Sequence, residues 1–365
     1  MPLLARMVAT PLVVDVRHGA VKDLPVVLAD QRISTSGRVA VAFGESGQDV
    51  AAELLPALRQ ADEFQIGDAT MEDATELADR IRVGSYDAVV AIGGGRVLDT
   101  AKFASTRVGL PMVAVATNLA HDGIASPVSI LGSGPQRGSY GVALPIAVII
   151  DLDVVRRSPR RYVVAGVGDV VSNVSALADW QLSHDVTHEP LDGLAMTLAR
   201  TAAAGLLNRP DSVESDDFLI ALGEALVLSG LAMAVAGTSR PCSGACHEIS
   251  HAIDRLFPEQ AVSHGEQVGL GAAFACFLRG DEDVAVELAA FLRRHGLPVV
   301  PEDMGLDAEQ FTEAVLFAPR TRPGRYTILE HLDLGVDAMA EAVSGYISTV
   351  GAERSASAAH STDLV

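Results

Sequence analysis

Cysteine and aromatic residues are scarce in this chain of 365 residues. Its three cysteines are Cys242, Cys246 and Cys276, with no Cys-x-x-Cys spacing among them. Because the cysteines are few and odd in number, they argue against both a disulfide framework and a cysteine-based zinc site. Aromatic residues make up 4% of the chain, with a single tryptophan, so we expect a close-packed core of aliphatic side chains.

Positive charge is also in short supply, because 27 Lys and Arg face 47 Asp and Glu for a net charge of -20. This balance argues against nucleic acid and anionic membranes as partners, since nothing would neutralise phosphates over a wide surface. A small phosphorylated ligand held by a few local donors is still compatible with this net negative charge. We find no signal-peptide pattern at the N-terminus and no apolar run near about 18 uninterrupted residues, and therefore expect a cytoplasmic protein without a membrane span.

The composition is that of a globular protein, and the pattern of apolar and polar residues differs between two parts of the chain. Over the first 157 residues, short apolar runs such as "RVAVAFG", "YDAVVAIGGG" and "PMVAVAT" alternate with amphipathic segments, which indicates a parallel sheet covered on both faces. Beyond that point only helical patterns follow. We predict an α/β dinucleotide-binding domain at 1–157, an all-helical metal- and substrate-binding domain at 158–350 and a disordered tail at 351–365. Ligands are expected in the cleft between the domains, and the Gly/Ala-rich helical domain would suit a homo-oligomer.

Three consecutive glycines, Gly93, Gly94 and Gly95, stand between a buried strand and a helix. Glycine lets backbone amides approach an anion, and the helix N-terminus adds its positive dipole end. The run favours phosphate or pyrophosphate binding over a ligand-free turn, although it lacks the G-x-G-x-x-G pattern. Asp99, one turn on, is either an ordinary acidic residue or a contact for a ligand hydroxyl. Glu45, after the second strand, mildly favours NAD over NADP.

Histidines cluster in "CHEISHAID" and "SHGEQVG". His247 and His251 share one helix face at i, i+4, and His264 begins the next helix. Asp169 offers a third metal ligand, or is only a cap at the start of its own helix. In the rival metalloprotease interpretation, Glu248 is the general base and Glu266 a third ligand. The missing metzincin extension and the glycine run weigh against it.

Five stretches carry a resemblance: "AIGGGRVLDTAKFAS", "VATNLAHDGIASPVSIL", "GVGDVVSN", "SRPCSGACHEISHAID" and "SHGEQVGLG". In this order they resemble the glycerol-1-phosphate dehydrogenase branch of the iron-type alcohol dehydrogenase and dehydroquinate synthase-like superfamily. The resemblance implies the dehydroquinate synthase-like fold. It also implies reduction of dihydroxyacetone phosphate to sn-glycerol 1-phosphate with NADH or NADPH. The implied divalent metal is zinc, with nickel or iron as alternatives.

The resemblance also implies roles for individual residues. Carried over to this chain, the metal ligands are Asp169, His247 and His264, the substrate contacts are Asp122, Asp169 and His251, and the dinucleotide contacts are Gly93, Gly94, Gly95, Asp99, Thr117 and Ser126. All three metal ligands and His251 count as catalytic. Phosphate recognition needs cationic or N–H donors, and on that chemistry Arg240 and Asn173 are candidates, with a simple helix-end cap as the alternative for Arg240.

Asn118, Leu119, Ala245 and Cys246 depart from the family pattern near the presumed substrate. Other activities therefore stay open. One is a dehydrogenase for an unphosphorylated polyol of the glycerol type, and another is a dehydroquinate synthase-like cyclase. A non-enzymatic sugar-phosphate or nucleotide sensor is a third, which the full set of candidate ligands argues against.

Overall fold

A computed structural model describes residues 8–58, 60–132 and 138–362, with backbone only for 352–362. Residues 1–7, where a signal peptide would begin, lie outside the described residues. So do residues 363–365, the last three of the predicted tail. The chain forms two compact units. The first contains residues 1–163 and 213–237, and the second contains 164–212 and 238–365. The domain bounds given above stay predictions.

A six-stranded sheet is the centre of the first unit. The strands of this unit are β1 (Val13–Arg17), β2 (Arg38–Phe43), β3 (Gln60–Gln65), β4 (Ala88–Gly93), β5 (Met112–Ala116), β6 (Val128–Leu131), β7 (Gly138–Gly141) and β8 (Ala147–Asp151). The sheet has the strand order β1-β8-β5-β4-β2-β3. All five pairings in the sheet are parallel. The runs of β4, β5 and β8 are buried at every position, because a parallel sheet is covered on both faces.

Helices complete the first unit: α1 (Leu24–Leu28), α2 (Gln48–Leu54), α3 (Met71–Gly84), α4 (Gly95–Val108), α5 (Leu152–Val155) and α9 (Asp216–Ala236). The antiparallel pair β6–β7 has no counterpart in the sequence prediction. Its strands are only four residues long, and so short a run gives a weak periodic signal.

The helix α9 belongs to the first unit, although the residues before it, 164–212, belong to the second. Its 21 residues are long and apolar enough to cross a membrane by length and composition, with a mean hydropathy of 2.2. However, 61% of its apolar window is buried inside the protein, as in the core helix of a globular unit. Ser215 caps its N-terminus by accepting a hydrogen bond from the Phe218 amide.

The second unit is helical throughout its described part. Its helices are α7 (Asn173–Thr187), α8 (Gly193–Leu207), α10 (Ala245–Leu256), α11 (His264–Leu278), α12 (Glu282–His295), α13 (Ala308–Phe317), α14 (Ile328–Leu332) and α15 (Val336–Thr362), together with most of α6 (Arg160–Val171). The prediction of a parallel α/β region followed by a mostly helical remainder is confirmed.

Candidate active site

The glycine run forms the turn from β4 into α4. Gly93 is the last residue of β4, Gly94 is the N-cap and Gly95 the first residue of α4. A Cβ on Gly94 would lie 2.5 Å from Nδ2 of Asn118, and one on Gly95 would lie 2.2 Å from Nε2 of His121. The turn therefore has no room for side chains, and its amides are left at a helix N-terminus, a favourable place for an anion.

Thr117 and His121 lie against this turn. The Thr117 amide donates to the Gly93 carbonyl at 3.1 Å, whereas its buried hydroxyl has no hydrogen-bond partner among the described residues. His121 Nδ1 accepts from the Gly123 amide at 3.0 Å. Its Nε2 therefore carries the proton in the neutral ring, beside Gly95. No role for His121 was predicted from the sequence, although it lies within "VATNLAHDGIASPVSIL".

Asp99 is buried, at 5% exposure, and faces Lys102, which is fully buried. Nζ of Lys102 lies 2.9 Å from Oδ1 of Asp99, although the angle leaves Oδ1 without a hydrogen bond. We regard the contact as an ion pair, since charge attraction tolerates the poor angle. Oδ2 accepts from the Ile130 amide at 3.1 Å. Asp99 thus anchors α4 to β6, and its dinucleotide contact stays a prediction.

Ser126 and Asp122 are in the same unit. The Ser126 hydroxyl donates to the Val128 carbonyl at 3.3 Å, and its own carbonyl lies 3.4 Å from Nζ of Lys102. Asp122 begins a short 3-10 turn. The first unit thus contains every predicted dinucleotide contact and one predicted substrate contact.

The second unit brings Asp169, His247 and His264 together. One ligand atom from each lies within 4.8 Å of the other two. Oδ1 of Asp169 is 4.0 Å from Nε2 of His247 and 3.8 Å from Nε2 of His264. Asp169 is in the last turn of α6, not at the start of a helix, so the idea that it is an N-cap is wrong. Two imidazoles and one carboxylate are a donor set that fits catalytic zinc or iron.

The imidazoles of His247 and His264 each contact a neighbouring side chain through Nδ1. The Ser250 hydroxyl donates to Oε1 of Gln267 at 2.6 Å, so its oxygen accepts from Nδ1–H of His264 at 3.1 Å. Likewise Nδ1 of His247 lies 3.4 Å from Sγ of Cys246. The Ser250 contact puts the proton of the neutral His264 ring on Nδ1, so that its Nε2 presents a lone pair toward Asp169. Cys246, noted above only as a departure from the family, is a buried neighbour of a ligand.

Burial, with the neighbouring His264 second, lowers the pKa of His247 well below its usual range. A neutral imidazole is the form that ligates a metal. His247 is therefore ready to bind near neutral pH without first releasing a proton.

Two glycines next to the ligands let α6 and α11 approach each other. A Cβ on Gly168 would lie 2.1 Å from the Gly265 carbonyl oxygen, and one on Gly265 would lie 1.8 Å from the Ala165 carbonyl oxygen. These glycines directly precede Asp169 and follow His264. The backbone contact that they permit places the carboxylate and the imidazole side by side. No sequence motif predicts this contact.

The structure does not support the metalloprotease interpretation. Glu248 is fully buried and its Oε2 accepts from the Thr327 hydroxyl at 3.1 Å. Glu266 caps α11, accepting from the Ser263 amide at 2.9 Å and from its hydroxyl. Neither is in the ligand group found among the described residues. His251 stacks on His264 with ring centroids 6.3 Å apart, and its Nε2 accepts from Arg322 at 3.2 Å.

The two candidates for phosphate recognition are occupied in other ways. Arg240 is 4% exposed; it donates from Nε to Glu189 at 2.9 Å and forms a second contact to the same carboxylate. Another of its nitrogens donates to the Tyr326 carbonyl. Asn173 is 1% exposed, and its Nδ2 donates to the Ala199 carbonyl at 3.4 Å. Arg240 is therefore a structural residue, and the expectation that it binds phosphate finds no support.

We predict that Glu248→Gln keeps wild-type metal content and turnover, because the amide is neutral like the protonated carboxyl and can keep a hydrogen bond with the Thr327 hydroxyl, which lies 3.1 Å from Oε2 of Glu248 and 2.6 Å from Oε2 of Glu330. Burial, with Glu330 second, raises the pKa of Glu248 from 4.5 to about 8. Between these values the unfolded chain releases a proton that the folded protein keeps, so stability falls as pH rises. The variant should show a smaller loss of thermal stability over that window. Loss of most activity at full metal content would instead indicate a general base.

Family and curated matches together place this chain among the metal-dependent oxidoreductases of the iron-type alcohol dehydrogenase class. The model of the iron-containing alcohol dehydrogenase family matches residues 15–159. The solved structure of a probable glycerol dehydrogenase from Sinorhizobium meliloti superposes with a TM-score of 0.76 at 22% identity, covering 96% of this chain and 99% of that one. A likeness at that identity speaks for the fold alone.

Comparison with curated relatives identifies the family within this class. A glycerol-1-phosphate dehydrogenase from Methanosarcina mazei is 34% identical over 333 residues, 89% of this chain and 92% of the relative. The enzyme of that name from Pyrococcus furiosus is 36% identical over 307 residues, 82% and 87% of the two chains. Both names give NAD(P)+ as the cofactor. The chain belongs to the glycerol-1-phosphate dehydrogenase family, as the resemblance predicted.

Proposed function

We propose that this protein reduces dihydroxyacetone phosphate to sn-glycerol 1-phosphate with NADH or NADPH at a divalent metal, zinc in the first instance. The observation that carries the proposal is the Asp169, His247 and His264 set with His251 stacked beside it. This donor set leaves coordination positions open for a substrate oxygen. The names of the relatives supply the substrate.

Different residues of the chain would bind the metal and orient the ligand rings. Oδ1 of Asp169 and Nε2 of His247 and His264 would hold the metal, and the Ser250 hydroxyl keeps the His264 ring oriented. When bound, the metal supplies Lewis-acid polarisation of a carbonyl oxygen and the dinucleotide supplies the hydride. His251 accepts from Arg322 through Nε2, so its neutral ring carries the proton on Nδ1.

The glycine turn would bind the dinucleotide through the amides at the start of α4, with the buried Thr117 hydroxyl as a further contact. Asp99, Ser126 and Asp122 keep their proposed roles toward cofactor and substrate. Glu45 is exposed in the 3-10 turn after β2, which supports NAD over NADP as the preferred dinucleotide. A cytoplasmic homo-oligomer completes the proposal and is supported by composition alone.

The test is an assay of NADH and NADPH oxidation with purified, zinc-loaded protein. We expect turnover with dihydroxyacetone phosphate well above that with dihydroxyacetone, and loss of turnover after chelation with recovery on adding zinc. Preference for dihydroxyacetone would establish the unphosphorylated polyol dehydrogenase instead. Turnover that survives complete metal removal would contradict the metal-dependent mechanism.

A further inference from the structure

Arg322 and Arg325 form a pair of guanidinium groups beside the metal-ligand cluster. Both are partly buried and both donate to the Ser239 hydroxyl, at 3.3 Å from Arg322 and 2.9 Å from Arg325. Arg322 also donates to the Ser243 hydroxyl at 3.1 Å, and Arg325 to the Ser243 carbonyl. Shared acceptors hold the two cations close together, a repulsive arrangement without a nearby anion.

Within the described part of the chain, neither guanidinium has a carboxylate at ion-pair distance. Arg240, by contrast, is paired with Glu189. Burial, followed by the charges of Arg322 and Arg240, lowers the pKa of Arg325 to about 10, which leaves it charged near neutral pH. Partly desolvated cations without a counter-ion are costly. A bound anion would relieve that cost.

The position of the pair relates it to the reaction. Nη2 of Arg322 lies 3.2 Å from Nε2 of His251, and the His251 ring stacks on the metal ligand His264. An anion on Arg322 is thus one side chain removed from the metal cluster. A short substrate with a carbonyl and a phosphate on one three-carbon chain matches that sequence of groups.

We propose that Arg322, assisted by Arg325, binds the phosphate group of the substrate and so makes the enzyme selective for phosphorylated ketones. This inference rests on the proposed function. A guanidinium offers paired N–H donors that match phosphate oxygens, and the Ser239 and Ser243 hydroxyls are further donors within reach. The sequence signal is the pair of arginines in "TRPGRYT", which lies outside every motif quoted above.

The test measures kcat/KM of the zinc-loaded enzyme with dihydroxyacetone phosphate and with dihydroxyacetone. Arg322→Met should lower the ratio of the two values, phosphorylated over free ketone, roughly ten- to hundredfold, as for loss of a charged hydrogen bond; the loss of the hydrogen bond to His251 affects both ketones alike and cancels in the ratio. Arg322→Lys should be intermediate, since it keeps the charge but loses the fork. Arg320→Met is the matched control, because Arg320 is exposed and packs over Phe317; it should change neither value.

Calorimetric titration with inorganic phosphate supplies a second measurement on the same zinc-loaded proteins. Phosphate should bind more weakly to Arg322→Met and Arg325→Met than to wild type and Arg320→Met. Equal losses for both ketones together with unchanged phosphate binding would overturn the inference. If wild type reduces neither ketone, the proposed function fails, whereas the phosphate titration still decides the role of the arginines. If Arg322→Met does not fold, Arg322→Lys and Arg325→Met carry both tests.

Discussion

Asp169→Asn is expected to lose bound metal and activity together. The change keeps the size of the side chain but removes the carboxylate charge that faces both imidazoles, at 4.0 Å from His247 and 3.8 Å from His264. Metal activation of a carbonyl is worth several kcal/mol, so kcat/KM should fall roughly a thousandfold or more. Metal content by elemental analysis and turnover on the same sample measure both effects.

Asp192→Asn is the matched control for this change. Asp192 caps α8 in the same unit, accepting from the Ala195 amide at 2.9 Å, and asparagine caps helices about as well as aspartate. The control should keep wild-type metal content and turnover. An Asp169→Asn protein that turns over at the wild-type rate without metal would show that the ligands are assigned wrongly.

Gly265→Ala should give the largest loss of stability. The new Cβ would meet the carbonyl oxygen of Ala165 at 1.8 Å and its carbonyl carbon at 2.4 Å. Both are backbone atoms, so no change of rotamer relieves the clash and α6 must move away from α11. Overpacking of this kind costs about 3 kcal/mol. Because His264 is the adjacent residue, metal affinity should fall as well, measured by thermal unfolding and metal titration.

Gly205→Ala separates the clash from the intrinsic effect of glycine in a helix. Gly205 is exposed within α8, and a Cβ there would have no neighbour within 4 Å. Alanine should stabilise that helix by up to about 1 kcal/mol. If Gly265→Ala instead unfolds like wild type and binds metal normally, then α6 and α11 do not depend on this contact to position the ligands.

Several parts of the molecule were predictable because their signal is local. The buried strands β4 and β5 are continuous apolar runs, and the glycines at 93–95 mark the turn by their own chemistry. The i, i+4 spacing of His247 and His251 needs only helix geometry. The hairpin β6–β7 was not predicted, because strands of four residues resemble irregular chain in a sequence.

Residue roles that depend on distant partners were beyond local patterns. Arg240 and Arg322 look alike in sequence, yet Arg240 is paired with Glu189 while Arg322 faces His251. Asp99 likewise accepts from the amide of Ile130, in a strand that no sequence pattern predicted. Only the packing of distant segments distinguishes a structural arginine from one that is available to a ligand.

The sequence by itself determined the parallel α/β region, the helical remainder, the family and the residue types of the candidate metal site. Periodicity and motifs record these because they depend on neighbours along the chain. Tertiary structure decided how Asp169 reaches two histidines about eighty and ninety-five residues away. It also decided which arginines lack a counter-ion. The physical reason is the close approach of α6 and α11 at Gly168 and Gly265, a contact between backbones that no local pattern encodes.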